Sequence, residues 1–189
     1  MTRNDILDAA AQVFRKKGFH GASMSDIAEA VNLQKASLYH HVASKQEILL
    51  ALLDRALDIL IEDIERVVGQ PLPPDEKLRL AMAAYLQDML EHHDLAVILL
   101  LEHRSLEPQY HTRHMLRRDR FEHLWRDIIQ LGKDKGIFNC ADTALASRYI
   151  LGVMNWVIIW YRPDGSLTPV EIADQYADLF LEGILIRKG

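Results

Sequence analysis

The 189-residue sequence is poor in cysteine, in strand-like patterns and in long apolar runs. A single cysteine, Cys140, excludes an internal disulfide and suits a reducing cytosol. No stretch alternates apolar and polar residues with β-branched enrichment, so β-strands are not expected. The apolar stretches at residues 95–101 and 153–161 are too short to span a membrane, and charges near the start argue against a signal peptide. We therefore expect a soluble, cytoplasmic, all-α protein without a membrane partner.

The apolar spacing is helical throughout and predicts about nine helices. Thr2, Ser23 and Thr168 each stand three positions before an acidic residue, which is the pattern of an N-terminal capping box. Gly18 is expected to end the first helix, and the ninth is expected to run to about residue 187. A sixth helix at residues 95–101 is apolar on all sides and should be buried. The order of the helices predicts a three-helix head at residues 1–46 and a helical body at residues 47–189.

Residues 19–45 contain two short helical patterns joined by a three-residue break, which is the sequence form of a helix-turn-helix. An apolar set faces inward, so the polar face of the second helix is left to address the DNA major groove. Gln34 and Lys35 carry groups that read base edges, and Ala36 can meet a thymine methyl. The side chains expected to bind phosphate are Ser23, Ser25, Tyr39, His41 and Lys45. Ser37 and His40 complete the predicted DNA-binding face.

Charge is unevenly distributed along the chain. Residues 1–48 carry a net charge of +1, whereas the remainder carries −6. Such asymmetry suits a small head that faces nucleic acid on an acidic body. The alternative for the head is a short, solvated helical pair, but capping residues, inner apolar residues and outer polar residues all agree with DNA binding.

The head resembles the TetR/AcrR family of bacterial transcriptional regulators. The family pattern is a Ser/Thr-capped helix, a turn, then Leu-Tyr-x-His-Phe/Val and Ser/Asn-Lys, and the matching residues here are Ser23, 38–42 and 44–45. The helix count and length fit the whole chain. The chain departs from the family pattern at three positions. Asn32 stands where the family usually has a turn glycine, Gln34 replaces a common serine and Ala36 replaces a common glycine. Asn32 tolerates left-handed geometry, and the other two changes concern base preference.

The resemblance implies a repressor that binds a palindromic operator as a homodimer, paired through helices 8 and 9. The residues support this independently, because residues 153–161 have no polar face and must be covered on two sides. A central helix in a monomer is the alternative. The predicted dimer interface is Trp156, Trp160, Ile172, Tyr176, Phe180 and Ile184.

The family's body holds a small-molecule cavity, and ionisable residues on core-facing helix stripes point to it here, since such groups are costly unless they are partnered. On helix 7 the core-facing stripe is centred on Phe121. Helix 8 is otherwise apolar but carries two polar residues. The predicted ligand-binding residues are His114, Arg117, Arg118, Phe121, Trp125, Arg148 and Asn155. As alternatives, His114 is hydrogen-bonded in the core, and Arg117 extends to solvent or pairs with Glu102 or Glu107.

The segment from Trp156 to Gly165, followed by Thr168 and Glu171, is similar to the branch of the family that controls fatty-acid, steroid or acyl-CoA catabolism. That branch implies a small hydrophobic effector, such as an acyl-CoA thioester, and no resident cofactor. The nine histidines have no recognised metal-ligand spacing, so no metal site is expected. The rival interpretations are a ligand-independent DNA-binding protein on the same scaffold and a small helical enzyme. Cys140 and the scattered serines lack a catalytic context, so no enzymatic activity is expected.

Overall fold

A computed structural model describes residues 2–184, and this part of the chain is helical with no strand. The all-α prediction is therefore confirmed. Nine α-helices lie within the described residues: α1 Arg3–Gly21, α2 Met24–Ala30, α3 Lys35–Leu38, α4 Lys45–Val68, α5 Pro74–Glu91, α6 His93–Val97, α7 Pro108–Asp134, α8 Thr143–Trp160 and α9 Pro169–Ile184. The expected extension of α9 to residue 187 lies outside the described residues.

The predicted capping boxes start the helices as expected. Thr2 and Ser23 each accept a hydrogen bond from the backbone three residues on, and the acidic residue there bonds back to the cap. Thr168 and Glu171 make the same reciprocal pair before α9. Regular geometry in α1 is interrupted at Gly18, which has φ 69° and ψ 161°. Only glycine adopts that conformation easily, so it kinks the chain near the predicted helix end.

The chain forms two compact units. The first unit contains the residues up to Leu57 together with His92–Arg117, and the second contains Asp58–Glu91 together with the residues from Arg118 onward. Two helices, α4 and α7, contribute residues to both. In the first unit α1 packs against α2 and α6. Its core includes Ile6, Phe14 and Leu38, which are at most 1% exposed.

In the second unit α5 packs against α8 and α9. Leu78, Met82 and Leu86 of α5 are completely buried, as is Ala177 of α9. The buried Lys77 donates from Nζ to the Val68 carbonyl at the end of α4. Cations stabilise helix carboxyl ends in this way, because the last carbonyls have no partner within the helix.

The expectation of a fully buried sixth helix is only partly correct. α6 ends at Val97, and a π-helical turn, Ile98–Glu102, and a 3₁₀ turn, His103–Ser105, follow it. Ile98 is buried, but Leu101 is 58% exposed. A π-helical turn holds an extra residue, so it changes the direction of the side chains that follow. Composition alone could not reveal this change of register.

α8 is long and apolar enough, by length and composition, to cross a membrane. The core helices of soluble proteins pass the same test, and one such helix is weak support for a membrane span. Arg148 lies within α8, so the helix does not form an uninterrupted apolar run.

Candidate nucleic-acid interface and effector site

The polar face of the helix-turn-helix is exposed to solvent. α3 is short, and one further turn continues to Val42, whose N–H donates to the Leu38 carbonyl at 3.2 Å. Leu38 and Val42 are buried beneath it, while Gln34, Lys35 and Ala36 stand exposed. The other predicted contacts on this face are exposed or half-buried: Ser25, Ser37, Tyr39, His40 and His41. No described residue of the chain covers the surface predicted to meet DNA.

The turn between α2 and α3 depends on Asn32, which has φ 53° and is the only non-glycine residue with positive φ in the described part of the chain. Asparagine tolerates this left-handed conformation better than most residues. The adjacent Leu33 N–H donates to the Ala28 carbonyl at 2.9 Å, which closes the turn. The substitution of asparagine for the family's glycine therefore keeps the geometry that presents α3.

Ser23 serves mainly to start α2. Its Oγ accepts from the Asp26 N–H at 3.2 Å and donates to Asp26 Oδ2 at 2.7 Å. Lys17 also lies 2.7 Å from Asp26. Hydrogen bonds from Lys17 and Ser23 lower the pKa of Asp26 to about 2. The carboxylate is thus held ionised at the N-terminus of α2, where negative charge is favourable.

Lys45 is the first residue of α4, and its ammonium group is turned onto the end of α1. Nζ donates to the carbonyls of Phe19 and Ala22, at 2.7 Å in each case. The same atom lies 4.4 Å from the centroid of the Phe19 ring. Lys45 was predicted to bind phosphate, yet in the DNA-free protein most of its bonding capacity is used by the head itself.

The segment that connects α6 to α7, residues 102–107, is hydrogen-bonded to the head. Glu102 Oε1 accepts from the Phe19 N–H at 3.1 Å, and Ser105 Oγ lies 3.1 Å from His20 Nε2. Gln46 Nε2 donates to the Ser105 carbonyl at 2.9 Å, and Gln46 Oε1 accepts from the Glu107 N–H at 3.1 Å. These contacts join the connection to both ends of the helix-turn-helix. Sequence patterns gave no signal for them.

Two predicted effector residues lie in the first unit. His114 is 2% exposed and stacks on His103 with ring centroids 6.2 Å apart. Arg117 is ion-paired with the buried Asp54 of α4 at 3.5 Å. Arg113 also binds Asp54, at 2.5 Å. Asp54 was not predicted, although an acidic residue in an apolar stretch of α4 is a visible signal.

The other predicted effector residues lie in the second unit. Phe121 and Trp125 are buried and join Tyr85 in an aromatic cluster, with centroids between 5.7 and 6.3 Å apart. The Tyr85 hydroxyl donates to Asn155 Oδ1 at 2.5 Å. Burial raises the pKa of Tyr85 well above its usual value, against a smaller opposite effect of Arg118. Tyr85 was not predicted, although its spacing from Met82 and Met89 on α5 marks it as a core position.

The predicted cations Arg118 and Arg148 are exposed, and Arg148 Nε lies 3.1 Å from Glu122. The side chain of Arg148 therefore leaves the apolar face of α8 by pairing with α7.

Trp125 is completely buried, and its indole N–H has no hydrogen-bond partner among the described residues. A buried donor of this kind is costly unless an acceptor reaches it. Within residues 2–184, no group of three histidine, cysteine or acidic residues could hold a metal ion.

The outer faces of α8 and α9 form an apolar surface with a groove of about 410 Å³. Trp156 is 64% exposed and Trp160 is 41% exposed. Tyr176 is half-buried, and Phe180 is buried and stacks on Tyr149. Ile172 is 3% exposed, because it lies on the inner side of α9. The side chain of Ile184 lies outside the described part of the structure.

An exposed helix-turn-helix on an all-α body is the architecture of a DNA-binding transcriptional regulator. Residues 6–52 match the family described as "Bacterial regulatory proteins, tetR family", and residues 71–184 match "Tetracyclin repressor-like, C-terminal domain". The chain belongs to the TetR family. Regulators of this family bind operator DNA as homodimers.

Similar proteins are known from several bacteria. The transcriptional repressor KstR2 of Mycobacterium tuberculosis is 32% identical over 96% of this chain and 92% of its own length. The solved structure of PfmR from Thermus thermophilus is 38% identical, with a TM-score of 0.87 over 94% of this chain and 97% of that one. AibR, solved in complex with isovaleryl coenzyme A and operator DNA, is 27% identical with a TM-score of 0.87, covering 94% and 96% of the two chains.

Proposed function

We propose that this protein is a cytoplasmic repressor that leaves its operator when an acyl-CoA thioester binds to its body. The observation that carries the proposal is the exposed polar face of α3 on a fold whose relatives are transcriptional regulators. Residues 1–46 would read a palindromic operator, and residues 47–189 would bind the effector and dimerise. The protein acts by binding alone, with no catalytic step and no resident cofactor.

The proposed base readers are Gln34, Lys35 and Ala36, which stand exposed on one face. Gln34 can pair with adenine, and Lys35 can donate to guanine O6 and N7 in the major groove. The proposed backbone contacts are Ser23, Ser25, Tyr39, His41 and Lys45, and Ser37 and His40 complete the proposed DNA-binding face. Two such faces must be about 34–36 Å apart to reach successive major grooves, so a change of spacing alters operator affinity.

An acyl-CoA effector is supported by similarity and by chemistry. AibR was solved with isovaleryl coenzyme A, and KstR2 is described as a ketosteroid transcriptional regulator. Phe121 and Trp125 are apolar residues suited to an acyl chain or ring system. The unpartnered Trp125 N–H could donate to a carbonyl oxygen. Arg117, Arg118, Arg148, His114 and Asn155 remain proposed contacts for the polar end of the ligand.

The first unit supplies a route from the proposed ligand contacts to the head. His114 stacks on His103, and His103 Nδ1 lies 3.1 Å from the Leu99 carbonyl in the π-helical turn. The same turn ends at Glu102, which binds the Phe19 N–H. A ligand that favours another position of His114 would therefore shift a segment bonded to the head. Coupling of about 1–3 kcal/mol, which is typical for linked sites, changes affinity by roughly 5–150-fold.

The exposed face of α8 and α9 is the proposed dimer surface, paired with a second copy in a four-helix bundle. Trp156, Trp160 and Tyr176 remain in the proposal, and the adjacent exposed residues Tyr149 and Leu179 extend it. Apart from the backbone of α8 itself, no atom of the described residues lies within 4 Å of the position that a Cβ of Gly152 would take, so a partner helix can approach closely there. Because Ile172 is buried within the chain, it supports the surface from beneath and does not form part of it.

The effector proposal is tested with a duplex selected by the purified protein from a random pool. Isovaleryl-CoA and a longer acyl-CoA should each give heat in calorimetry and should weaken binding of that duplex about 5- to 150-fold. Coenzyme A and the free acid are the controls, and they should have a smaller effect. Trp125→Phe retains the ring but removes the N–H, so it should reduce the response to the thioester. Heat from none of these compounds would favour the ligand-independent DNA-binding alternative.

A further inference from the structure

We propose that the Asp54 carboxylate is an internal anion that a phosphate group displaces from Arg113, and that this exchange weakens operator binding. The inference rests on the proposed function, in which an acyl-CoA thioester releases the operator, and it names the contact through which a phosphate acts. All of the residues involved lie in the first unit, on α1, α4 and α7.

Two arginines of α7 meet the same carboxylate of α4. Arg113 Nη2 donates to Asp54 Oδ2 at 2.5 Å, and Arg117 Nε lies 3.5 Å from Asp54 Oδ1. Arg117 Nη2 also donates to the backbone carbonyl of Asp54 at 3.4 Å. Residues four apart lie on one face of a helix, so the two guanidinium groups form one cationic site that the carboxylate contacts.

The two partners in this ion pair differ in their exposure to solvent. Asp54 is 8% exposed, whereas the side chain of Arg113 is 62% exposed. A guanidinium group has five N–H donors in a planar fork, and phosphate oxygens match that fork in pairs. A phosphate in solution can therefore reach Arg113 and compete with Asp54 for its donors.

Loss of Arg113 as a partner would act on α4. A buried carboxylate is costly once its cationic partner is taken away, because its charge is then poorly compensated. Arrangements of α4 that expose Asp54 to water are favoured in that case. The next residue, Arg55, donates from Nη1 to Asp8 Oδ1 of α1 at 2.5 Å, and α1 packs against α2. A movement of this turn of α4 would therefore reach the helix-turn-helix.

The exchange would produce release through differential binding. In the operator-binding state Asp54 competes with the phosphate, and in the released state it does not. A ligand shifts an equilibrium only by the difference between its affinities for the two states. Removal of the Asp54 charge should therefore make the ligand bind more tightly and yet act less strongly. A residue that only stabilises the fold would not separate these two effects.

The experiment compares Asp54→Asn, which keeps the shape of the side chain but removes its charge, with Arg113→Gln. Arg120→Gln is the matched control, because Arg120 is a similarly exposed arginine of α7 that also lies 2.5 Å from a carboxylate of α4, that of Glu65. Each protein is titrated with isovaleryl-CoA, with isovaleryl-pantetheine, which has no phosphate, and with pyrophosphate. Affinity for the duplex selected by the wild-type protein is measured without ligand and at saturating ligand.

Isovaleryl-CoA should weaken binding of the duplex by the wild-type protein about 5- to 150-fold. Asp54→Asn should bind isovaleryl-CoA about tenfold more tightly, but saturation should weaken its binding of the duplex by a much smaller factor. Arg113→Gln should bind isovaleryl-CoA about tenfold more weakly. Neither substitution should alter the affinity for isovaleryl-pantetheine, and Arg120→Gln should respond as the wild type does.

The pyrophosphate titration identifies the source of the phosphate. Release of the duplex by pyrophosphate alone, again reduced in Asp54→Asn, would identify a free phosphate as sufficient. Release by isovaleryl-CoA without any effect of pyrophosphate would identify the phosphate carried by the effector. Arg113→Lys keeps a cation beside Asp54 but loses the planar fork, so it should fold like the wild type and still bind isovaleryl-CoA more weakly.

Two results would overturn the inference. The same change in affinity for isovaleryl-CoA and for isovaleryl-pantetheine would show that the substitutions do not act through a phosphate. An Asp54→Asn protein with the affinity and the response of the wild type would show that Asp54 does not compete with the ligand. Failure of the wild-type protein to bind either thioester would instead overturn the proposed effector class, and pyrophosphate would then still test the exchange at Arg113.

Discussion

Asp88 on α5 is a half-buried carboxylic acid in surroundings that disfavour its charged form. Burial, together with the nearby Asp63 and Glu91 carboxylates, raises its pKa to about 7, against a smaller opposite effect of Arg66. One of its oxygens is buried without a hydrogen-bond partner among the described residues. In the unfolded chain the same group ionises near pH 4. Folding therefore favours the protonated acid.

The pH dependence follows from that difference. Below about pH 4 the acid is protonated in both states and costs nothing. As the pH rises from about 4 to about 7, only the unfolded chain ionises, so the free energy of unfolding falls, and above about 7 the penalty is complete. Asp88→Asn should therefore gain stability relative to the wild type over this window, by about 1 kcal/mol after allowance for solvent screening.

Urea unfolding between pH 4 and pH 8 measures this gain. Asp164→Asn, the same change in an exposed turn, is the control and should show a much smaller pH-dependent difference. A difference between Asp88→Asn and the wild type that does not vary with pH would contradict the proposed environment of Asp88.

At the level of elements, the end of α7 depends on a close contact between Gly132 and Phe138. A Cβ built at Gly132 would lie 2.1 Å from the Phe138 ring, which is buried. The Gly132 carbonyl accepts from the N–H groups of Ile137 and Phe138, at 2.9 and 3.1 Å. Gly136, with φ 66°, lets the chain turn back onto the helix.

Gly132→Ala should destabilise the protein by about 2 kcal/mol, since the ring must move and the gain in helix propensity offsets only part of the cost. Thermal and urea unfolding measure this loss. Gly21→Ala, where a Cβ meets only ordinary contacts, should change stability by much less. In a Phe138→Ala background, the cost of Gly132→Ala should disappear. An equal cost with and without the ring would show that the clash is not its cause.

At the level of the whole molecule, the exposed apolar surface of α8 and α9 is the surface that we propose pairs with a second copy. Trp156, Ile159 and Leu179 are each more than half exposed, and large apolar patches of this kind mark association surfaces. A second copy would cover the surface by symmetry, since a twofold dimer uses the same patch on both chains. Dimer formation also supplies the second recognition helix that a palindromic operator requires.

Trp156→Glu should weaken the dimer about 100-fold or more, because it places a charge at the centre of the proposed interface. Sedimentation velocity at micromolar concentration should then show monomer, with an unchanged circular dichroism spectrum. Leu116→Glu, at an exposed position in the first unit, is the control and should remain dimeric. A Trp156→Glu protein that sediments as the wild-type dimer would place the interface elsewhere.

The sequence by itself determined most of the helices, the capping boxes and the face of α3 that is left polar. These features depend on neighbours within four residues along the chain, so periodicity and capping chemistry reveal them. The family pattern in residues 38–45 and the left-handed Asn32 belong to the same class of local signal. They were sufficient to identify a DNA-binding regulator.

Only the tertiary structure decided which groups the polar side chains meet across long separations in sequence. Lys45 binds Phe19 and Ala22, and Arg117 pairs with Asp54. The helical pattern assigns a residue to a face, but it does not state what lies opposite that face. For the same reason it could not separate the inner Ile172 from the exposed Trp156 on two apolar helices. Such contacts are set by packing between helices that are distant in the chain, and the local pattern of residues does not encode this packing.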